Sequence, residues 1–209
     1  MVESDGILCH NDIDLPYFSG ITNNPSFIFP TLMIEDSIEI SNEKEDSVFI
    51  AGNWHTTYRG FDAWVIGREF DLPMSGFKSA KFKTNEEYNG INYLPWMNWF
   101  QFMIELSKYK YGVQCYQASA GQFPLNCAYL GIPCIGYNDI NTQRDLFPQL
   151  SVDRGDILKA RKLVNLIKND LDFYQEVSKL SKTNYKKLYS EKVFLKNWKK
   201  IEEKLYGTT

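Results

Sequence analysis

Apolar runs and helical stripes alternate through the middle of the chain. The run "SVFIAG" at residues 47–52 is almost entirely apolar and ends in a glycine, which predicts a strand buried on both faces. From Gly60 onward, Phe61, Trp64 and Val65 recur at helical spacing. The segment therefore predicts a strand, a loop and a helix in that order.

The same alternation continues to residue 137. Residues 77–83 alternate in polarity, residues 91–95 have the composition of a strand, and a helical stripe follows at Trp99, Phe102, Met103 and Leu106. Segments 111–116, 122–130 and 133–137 then predict a strand, a helix and a strand. Strands that alternate with helices are joined as parallel neighbours by crossovers. We therefore expect an α/β fold, a Rossmann-like parallel sheet with helices on both faces.

The two ends of the chain differ from this middle. The runs "GILC" at 6–9 and "SFIFPTLMI" at 26–34 resemble short strands, and the acidic stretch 35–46 is typical of a linker. Residues 155–205 contain only helical patterns. The last of these is a stripe of Phe194, Trp198, Ile201 and Leu205. We expect a helical C-terminal third whose final stripe is buried against the same domain.

Composition limits the number of domains and the classes of protein. With 209 residues, 44% hydrophobic and 23% charged, the chain can form one well-buried domain with an appendage. The 15% of aromatic residues favours an aromatic-lined core or cleft. The pattern contains no internal repeat and no low-complexity tract.

The charge distribution argues against a nucleic-acid partner. The formal net charge is −3, so the chain lacks the overall basic character that binding to phosphate backbones usually requires. Positive charge does concentrate between Lys159 and Lys204, where acidic residues are interleaved at helical spacings. A solvated helix face is the first interpretation of this region, and binding to nucleic acid or an anionic membrane is the second.

The cysteines and histidines give no sign of a disulfide framework or a metal site. Four cysteines lie in apolar runs without CxxC spacing, which is typical of small buried side chains in a reducing compartment: Cys9, Cys115, Cys127 and Cys134. His10 and His55 lie far apart and lack a third ligand at useful spacing. No apolar run reaches the roughly 20 residues of a membrane span, and residues 1–20 lack a secretory signal pattern. We expect a cytoplasmic protein.

A glycine turn offers the first candidate for binding chemistry. Residues 117–123, "QASAGQF", follow a predicted strand and open a predicted helix. Helix N-termini at the carboxyl ends of parallel strands present N–H groups and partial positive charge to anions. Small residues would allow a ligand to approach the backbone. A plain tight connection between strand and helix is the equally weighted alternative.

The residues around this turn resemble a known family. "GQFPLNCAYLGIPCI" resembles the donor-binding segment of retaining glycosyltransferases of the GT-B architecture, in which two Rossmann-like domains face each other. The matching residues are Gly121, Phe123, Pro124, Leu125, Gly131, Pro133 and Ile135. "SVFIAGNWHTTYRGFDAW" looks like the first strand and helix of that family's C-terminal domain, and "YLPWMNWFQFMIELSKYKYGVQCYQ" looks like the segment before the donor strand.

The resemblance implies a division of the chain. Residues 46–209 would be the Rossmann-like donor-binding domain, one half of a GT-B architecture. Residues 1–45 would be the remnant of a preceding domain plus a linker, and the acceptor-binding half would be missing. The family uses protein groups to stabilise the departing diphosphate, so the resemblance implies a nucleotide-sugar donor as substrate and no metal cofactor.

The resemblance also implies roles for particular residues. The backbone of Gly121, Gln122 and Phe123 would cradle the donor phosphates, Arg59 would neutralise them, and Asn126 would meet the ribose. Possible base or sugar contacts are His55, Asn53, Leu94 and Trp96, the last two within the Tyr93–Met97 segment. No catalytic residue is assigned. Each role has a structural alternative: Arg59 as a surface residue, Phe123 and Leu125 as core, and Trp96 as an apolar anchor.

Three positions depart from the family's usual residues. Asn126 and Ala118 stand where the family has glutamates, and Asn53 stands where an arginine is common. An amide in place of a carboxylate loses a charge-assisted hydrogen bond to the ribose. The loss costs on the order of 1–2 kcal/mol, about tenfold in affinity.

Two functions remain in view at this point. In one, the chain is the donor-binding half of a glycosyltransferase that transfers a sugar to a saccharide or lipid-linked acceptor and is inactive alone. In the other, it is a degenerate Rossmann-like module that binds a nucleotide or a protein without turnover. The resemblance favours the enzyme, and the missing acidic residues favour the module.

Overall fold

A computed structural model describes residues 4–35, 40–41, 43–52, 60–77, 90–115 and 120–207. Its strands are β1 (Ile7–Cys9), β2 (Ser26–Ile28), β3 (Glu45–Ala51), β4 (Met74–Phe77), β5 (Ile91–Leu94), β6 (Tyr109–Gln114), β7 (Cys134–Tyr137) and β8 (Ser151–Val152). Its α-helices are α1 (Leu15–Ser19), α2 (Gly60–Gly67), α3 (Trp99–Leu106), α4 (Gln122–Leu130), α5 (Asn141–Leu146), α6 (Ile157–Asn169), α7 (Leu171–Leu188) and α8 (Glu191–Tyr206).

The main sheet confirms the predicted fold class. Its six described strands run in the order β5-β4-β3-β6-β7-β8, and every neighbouring pair is parallel. The chain adds β4 and β5 on one side of β3 and then returns to add β6, β7 and β8 on the other. The order therefore reverses between β3 and β6, which makes the carboxyl ends of these two strands the switch point of the sheet.

Helices cover both faces of this sheet, as the strand pattern predicts. Phe49 of β3 packs on Phe102 of α3 and on Phe123 of α4, with ring centroids 5.4 and 5.6 Å apart. The next residue, Ile50, faces α2, where Gly67 leaves room for its side chain. Because neighbouring residues of a strand point to opposite faces, β3 is buried from both sides.

Glycine and proline set the ends of α4 at the predicted boundaries, 122 and 130. Gly121 precedes the helix at φ 71°, and Gly131 ends it at φ 66°, both in the left-handed region. The amide of Ile132 then bonds to the carbonyl of Cys127, which completes a glycine-type C-cap. Pro133 follows and cannot continue a helix.

The N-terminal segment, residues 4–35, forms a small unit of its own. Strands β1 and β2 pair in parallel as a two-stranded sheet, with α1 between them in the chain. The segment is bonded to the main domain where the Thr31 hydroxyl donates to the Ala120 carbonyl at 3.1 Å. Its assignment as the remnant of a preceding domain, with a boundary near residue 45, stays a prediction.

Helix α8 is docked, but its contacts differ from the prediction. Phe29 of the N-terminal segment packs between Phe194 and Trp198 of α8, with ring centroids 4.5 and 5.5 Å apart. At the far end, the Tyr206 hydroxyl donates to Asp5 at 2.9 Å. The stripe was expected to pack on the main domain and instead packs on the N-terminal segment, because that segment supplies the exposed apolar surface nearest to the end of α7.

Other expectations are met or revised in detail. Of the alternating stretch 77–83, only Phe77 lies in the described part of the chain, where it is the last residue of β4. Helix α5 and strand β8 were not predicted. All four cysteines are buried and free. No helix in the described ranges is long and apolar enough to cross a membrane.

Candidate functional site

The switch point of the sheet brings two loop ends together. Ala51 of β3 is paired with Gln114 of β6, so these strands end side by side. The chain leaves β3 through Gly52 and re-enters helix α2 at Gly60. It leaves β6 through Cys115 and re-enters helix α4 after Gly121. Two helix N-termini therefore follow adjacent strand ends, the arrangement that binds anionic ligands in open α/β sheets.

Thr142 of α5 holds the turn at Gly121 in place through a hydrogen bond. The Thr142 hydroxyl donates to the Gly121 carbonyl at 2.9 Å, and both groups are buried. A Cβ atom added at Gly121 would overlap the Thr142 hydroxyl and lie 3.1 Å from Cγ2 of Ile140. Together with the positive φ, this contact makes glycine necessary here and fixes the direction of α4.

The first turn of α4 has few internal partners for its N–H groups. Its N-cap is a glycine, which has no side chain to cap the turn. Pro124 has no N–H, and the amide of Leu125 bonds to the Gly121 carbonyl at 3.4 Å. The amides of Gln122 and Phe123 are thus the helix-terminal donors that point away from the helix at the switch point.

The side chains of this turn contribute less than the backbone. Phe123 and Leu125 are buried in the core, as the structural alternative expected. Asn126 is only 1% exposed, and its Oδ1 accepts a hydrogen bond from Nε2 of Gln122 at 2.9 Å. The structure therefore places Asn126 behind Gln122, so that Gln122 would have to move before a ribose could reach Asn126.

A small cleft lies beside β5 and the aromatic residues that follow it. Ile50, Gly52, Gly60, Gly76, Phe77, Ile91 and Tyr93 line it at the carboxyl ends of β3, β4 and β5. Trp96 is 84% exposed, and its ring lies 5.3 Å from that of Phe77. Leu94 is half-buried against the core. Tyr93 belongs to the segment that was predicted to contact the base, and it lines the cleft. Trp96 is not among the lining residues.

An open depression of about 370 Å³ lies at the carboxyl end of β7, the strand next to β6. Asp12 and Ile13 of the N-terminal segment line it together with Asn138, Asp139 and Arg144. The Arg144 guanidinium pairs with the Asp12 carboxylate at 2.6 Å. Sequence analysis missed these residues, because the contact joins positions more than a hundred residues apart. The polar run that follows the strand at 133–137 was the available signal.

A partly buried hydrogen bond joins β7 to the first turn of α2. The Tyr137 hydroxyl donates to the Asp62 carboxylate in the first turn of α2 at 2.7 Å. Burial raises the pKa of Tyr137, and the nearby Asp62 raises it further. The hydroxyl therefore stays protonated and keeps donating over the whole physiological pH range. The contact holds the N-terminus of α2 beside the switch point.

Several predicted site residues lie outside the described part of the chain. These are Asn53, His55 and Arg59 in the loop after β3, and Ala118 in the loop after β6. Their two loops start at adjacent strand ends, so the predicted convergence of Arg59 with the Gly121 turn agrees with the topology and stays a prediction. Within the described ranges, no three metal-ligating side chains cluster.

Comparison with known proteins gives a fold but no relative in sequence. No model of a protein family matches the chain, and no curated protein sequence matches it. Among solved structures, TarM of S. aureus, determined in complex with UDP, superposes with a TM-score of 0.76 at 12% identity. The match covers 94% of this chain and 43% of TarM.

The fold is that of GT-B glycosyltransferases. Sucrose-phosphate synthase of Thermosynechococcus elongatus superposes with a TM-score of 0.72 at 11% identity, over 99% of this chain and 60% of the enzyme. HepE of Anabaena, determined with UDP-glucose, gives 0.68 at 8% identity, over 96% and 64%. The chain thus spans about half the length of these GT-B structures, with its N-terminal segment included in the match.

Proposed function

We propose that the chain is the donor-binding, C-terminal half of a retaining GT-B glycosyltransferase. It binds a nucleotide-sugar and takes part in the transfer of the sugar to a saccharide or lipid-linked acceptor, as in polysaccharide biosynthesis. The observation that carries the proposal is the Gly121 turn. It places outward-pointing helix N–H groups at the switch point of a sheet whose fold is that of GT-B glycosyltransferases.

Different groups of the chain bind different parts of the nucleotide-sugar donor. The amides of Gln122 and Phe123, with the N-terminus of α4, hold the diphosphate and stabilise its growing charge as the sugar leaves. Arg59 adds a cation to the same phosphates. Asn126 accepts a ribose hydroxyl after Gln122 swings aside, and the base lies against Tyr93. Because protein groups stabilise the leaving diphosphate, no metal is required.

The acceptor belongs to a second domain in this proposal. The depression at Asp12 and Arg144 opens at the carboxyl end of β7, next to the strand that leads to the Gly121 turn, and is lined partly by the N-terminal segment. A facing domain on that side would hold the acceptor and exclude water. We therefore expect no sugar transfer from this 209-residue chain alone. Addition of a facing domain in cis or in trans is required.

A nucleotide- or protein-binding module without turnover is the alternative. One observation favours it: Asn126 is buried and already hydrogen-bonded to Gln122, so the position that carries a glutamate in the family is neither charged nor open. Such a module would keep the phosphate turn and lose the ribose contact. Nucleotide binding in itself does not separate the two, but transfer activity with an added partner domain does.

Titration with UDP, GDP and ADP tests the proposal directly. The helix N-terminus and Arg59 each contribute roughly 1–2 kcal/mol towards a diphosphate, and the one-sided cleft leaves it partly screened by water and salt. We expect one of the three to bind with a Kd between about 10 µM and 1 mM, which corresponds to about −4 to −7 kcal/mol. In heteronuclear NMR the amide signals of residues 121–123 should move.

Two glycine variants make the result specific. Gly121→Ala should abolish the shifts, because it distorts the turn. Gly155→Ala is the matched control: Gly155 also has a positive φ, of 82°, but a Cβ there meets nothing within 4 Å. Arg59→Ala should weaken binding about tenfold. Absence of binding at millimolar nucleotide, or equal binding by the Gly121 variant, would contradict the donor-site assignment.

A further inference from the structure

The junction of α7 and α8 carries an unusual excess of lysine. Between residues 186 and 200 the chain has six lysines and one acidic residue, Glu191. The lysines are Lys186, Lys187, Lys192, Lys196, Lys199 and Lys200, and all six are exposed. We refer to residues 186–200 as the lysine junction. The protein as a whole is acidic, with a net charge of −3, so this charge is local.

No described residue forms a salt bridge with the lysine junction, although carboxylates lie close by. The Glu35 carboxylate accepts from the Tyr185 hydroxyl at 2.7 Å and from the Glu191 amide at 3.1 Å. Asp145 accepts from the Tyr189 hydroxyl at 2.5 Å, and Glu202 from the Trp198 indole at 2.7 Å. Neutral donors thus satisfy these acids.

Spacing places much of this charge on one side of α8. Lys192, Lys196 and Lys199 recur three or four residues apart and so share a face. This face lies opposite the stripe that packs on Phe29, which leaves it open to an external partner. Like charges at these spacings repel one another, and this face carries no acidic residue until Glu203, four residues after Lys199. An anionic partner would remove the repulsion.

Exposed leucines lie among the lysines. Leu195 is 51% exposed and shares the α8 face with Lys192 and Lys199, while Leu188 is 39% exposed at the end of α7. Leu188 ends α7 and Leu195 lies near the start of α8, so both flank the connection between the two helices. A surface that combines unpaired lysines with protruding leucines is complementary to the headgroup region of a lipid bilayer, where charge and short apolar insertion act together.

We propose that the lysine junction binds the surface of a membrane that contains anionic lipid. The contact would hold the protein at the bilayer without crossing it. It involves α7 and α8 and none of the residues of the Gly121 turn, so it does not depend on the donor site. If the acceptor is lipid-linked, the same contact brings the domain to the surface where that acceptor lies.

Nucleic acid fits the lysine junction less well. Arginine, with its planar fork, is the residue that recognises phosphate groups in pairs, and the junction contains none. Lysine carries a compact charge on a flexible stem, which suits a fluid charged surface rather than a fixed row of phosphates. The protruding leucines have no role on a duplex backbone. Nucleic acid therefore stands as an alternative outcome of the test.

Co-sedimentation with vesicles tests the proposal on the whole chain. One set of vesicles is phosphatidylcholine alone, and the other contains about a third phosphatidylserine. We expect binding only to the second set, and we expect it to fall steeply as salt shortens the Debye length. Each lysine near an anionic surface changes the partition coefficient about fivefold, so loss of three should lower it on the order of 100-fold.

The matched pair of variants removes the same charge from two places. Lys192→Ala, Lys196→Ala and Lys199→Ala together empty the α8 face. Lys159→Ala, Lys162→Ala and Lys168→Ala together remove three exposed lysines from α6. Alanine preserves helix propensity, and circular dichroism with a thermal melt checks that both variants fold. The first variant should lose vesicle binding and the second should largely keep it.

Three results would overturn the proposal. Equal loss of binding in the two triple variants would show a general charge effect rather than a surface. Unchanged binding in Leu195→Ser would contradict apolar insertion, for which we expect a several-fold reduction. Lysine-dependent binding to an RNA or DNA oligonucleotide, without binding to anionic vesicles, would assign the junction to nucleic acid instead.

Discussion

Substitution of Gly121 by alanine should destabilise the protein through two separable effects. The backbone at this position has φ 71°, and an L-residue in the left-handed region costs about 1–2 kcal/mol. The new Cβ would also overlap the Thr142 hydroxyl. If Thr142 rotates away, its buried hydrogen bond to the Gly121 carbonyl is lost, at about 1 kcal/mol, with a similar cost from repacking against Ile140.

The expected total is about 3–4 kcal/mol, which corresponds to a fall in Tm of roughly 6–16 °C for a chain of this length. Thermal and urea denaturation measured by circular dichroism give both numbers. Gly155→Ala, with its positive φ in open space, should cost only about 1–2 kcal/mol.

A double-mutant cycle separates the steric effect from the backbone effect. Thr142→Ala removes the hydroxyl and methyl groups that the new Cβ would meet. In the Gly121→Ala background it should therefore cost about 1–2 kcal/mol less than it costs in the parent chain. If the two substitutions instead prove additive within about 0.5 kcal/mol, the contact between residues 121 and 142 does not restrain the turn. The structural argument for the donor site would then fail.

Three further predictions concern other parts of the molecule. Asn126→Asp should tighten nucleoside diphosphate binding by up to about tenfold, because a carboxylate accepts a stronger, charge-assisted hydrogen bond from a ribose hydroxyl once Gln122 has moved aside. Weaker binding measured by calorimetry would place the ribose elsewhere. Burial, together with the smaller effect of the nearby Lys182, lowers the pKa of Lys44 to about 8. Between about pH 8 and 10.4 the unfolded chain therefore holds a proton on Lys44 that the folded chain lacks, so the free energy of unfolding should rise with pH in that window. Lys44→Met should stabilise the protein at pH 7. In urea melts it should also abolish the rise with pH. Phe29→Ala should cost about 3–5 kcal/mol, with hydrogen exchange showing lost protection in α8 and intact protection in β3 and β6; uniform loss would contradict separate docking of α8.

Glycine and proline residues at the ends of helices and strands explain why much of the sheet could be predicted. Gly121 and Pro133 bracket a helix and the start of a strand, and their backbone preferences are independent of tertiary context. Strand β4 was harder, because "MSGF" has few β-branched residues. It pairs with β3 on one side and β5 on the other, and Gly76 allows close packing against β3, where an added Cβ would lie 3.0 Å from the Ile50 carbonyl oxygen. Such a contact is set by the neighbouring strand and is invisible in the local sequence.

The candidate site likewise has a part that the local sequence predicts and a part that depends on contacts between distant residues. Backbone donors at the Gly121 turn follow from the order of strand, glycine and helix, so the pattern predicts them. The side-chain state of Asn126 does not follow, since its burial depends on the rotamer of Gln122. The pairing of Asp12 with Arg144 depends on where the N-terminal segment docks. Contacts of that kind join distant parts of the chain, and a single sequence carries no signal for them.

The N-terminal segment connects the edge of the sheet near the Gly121 turn with the C-terminal helix α8. The Thr31 hydroxyl donates to Ala120 in the loop after β6, the Asp12 carboxylate accepts from Arg144 of α5, and Phe29 packs on α8. A shift of this segment would therefore change the depression beside the Gly121 turn and the position of α8 together. A facing domain that docks on β1 and β2 would act through the same contacts. Under the proposed function, docking of such a domain would therefore change the surroundings of the Gly121 turn, although that turn itself belongs to the main domain.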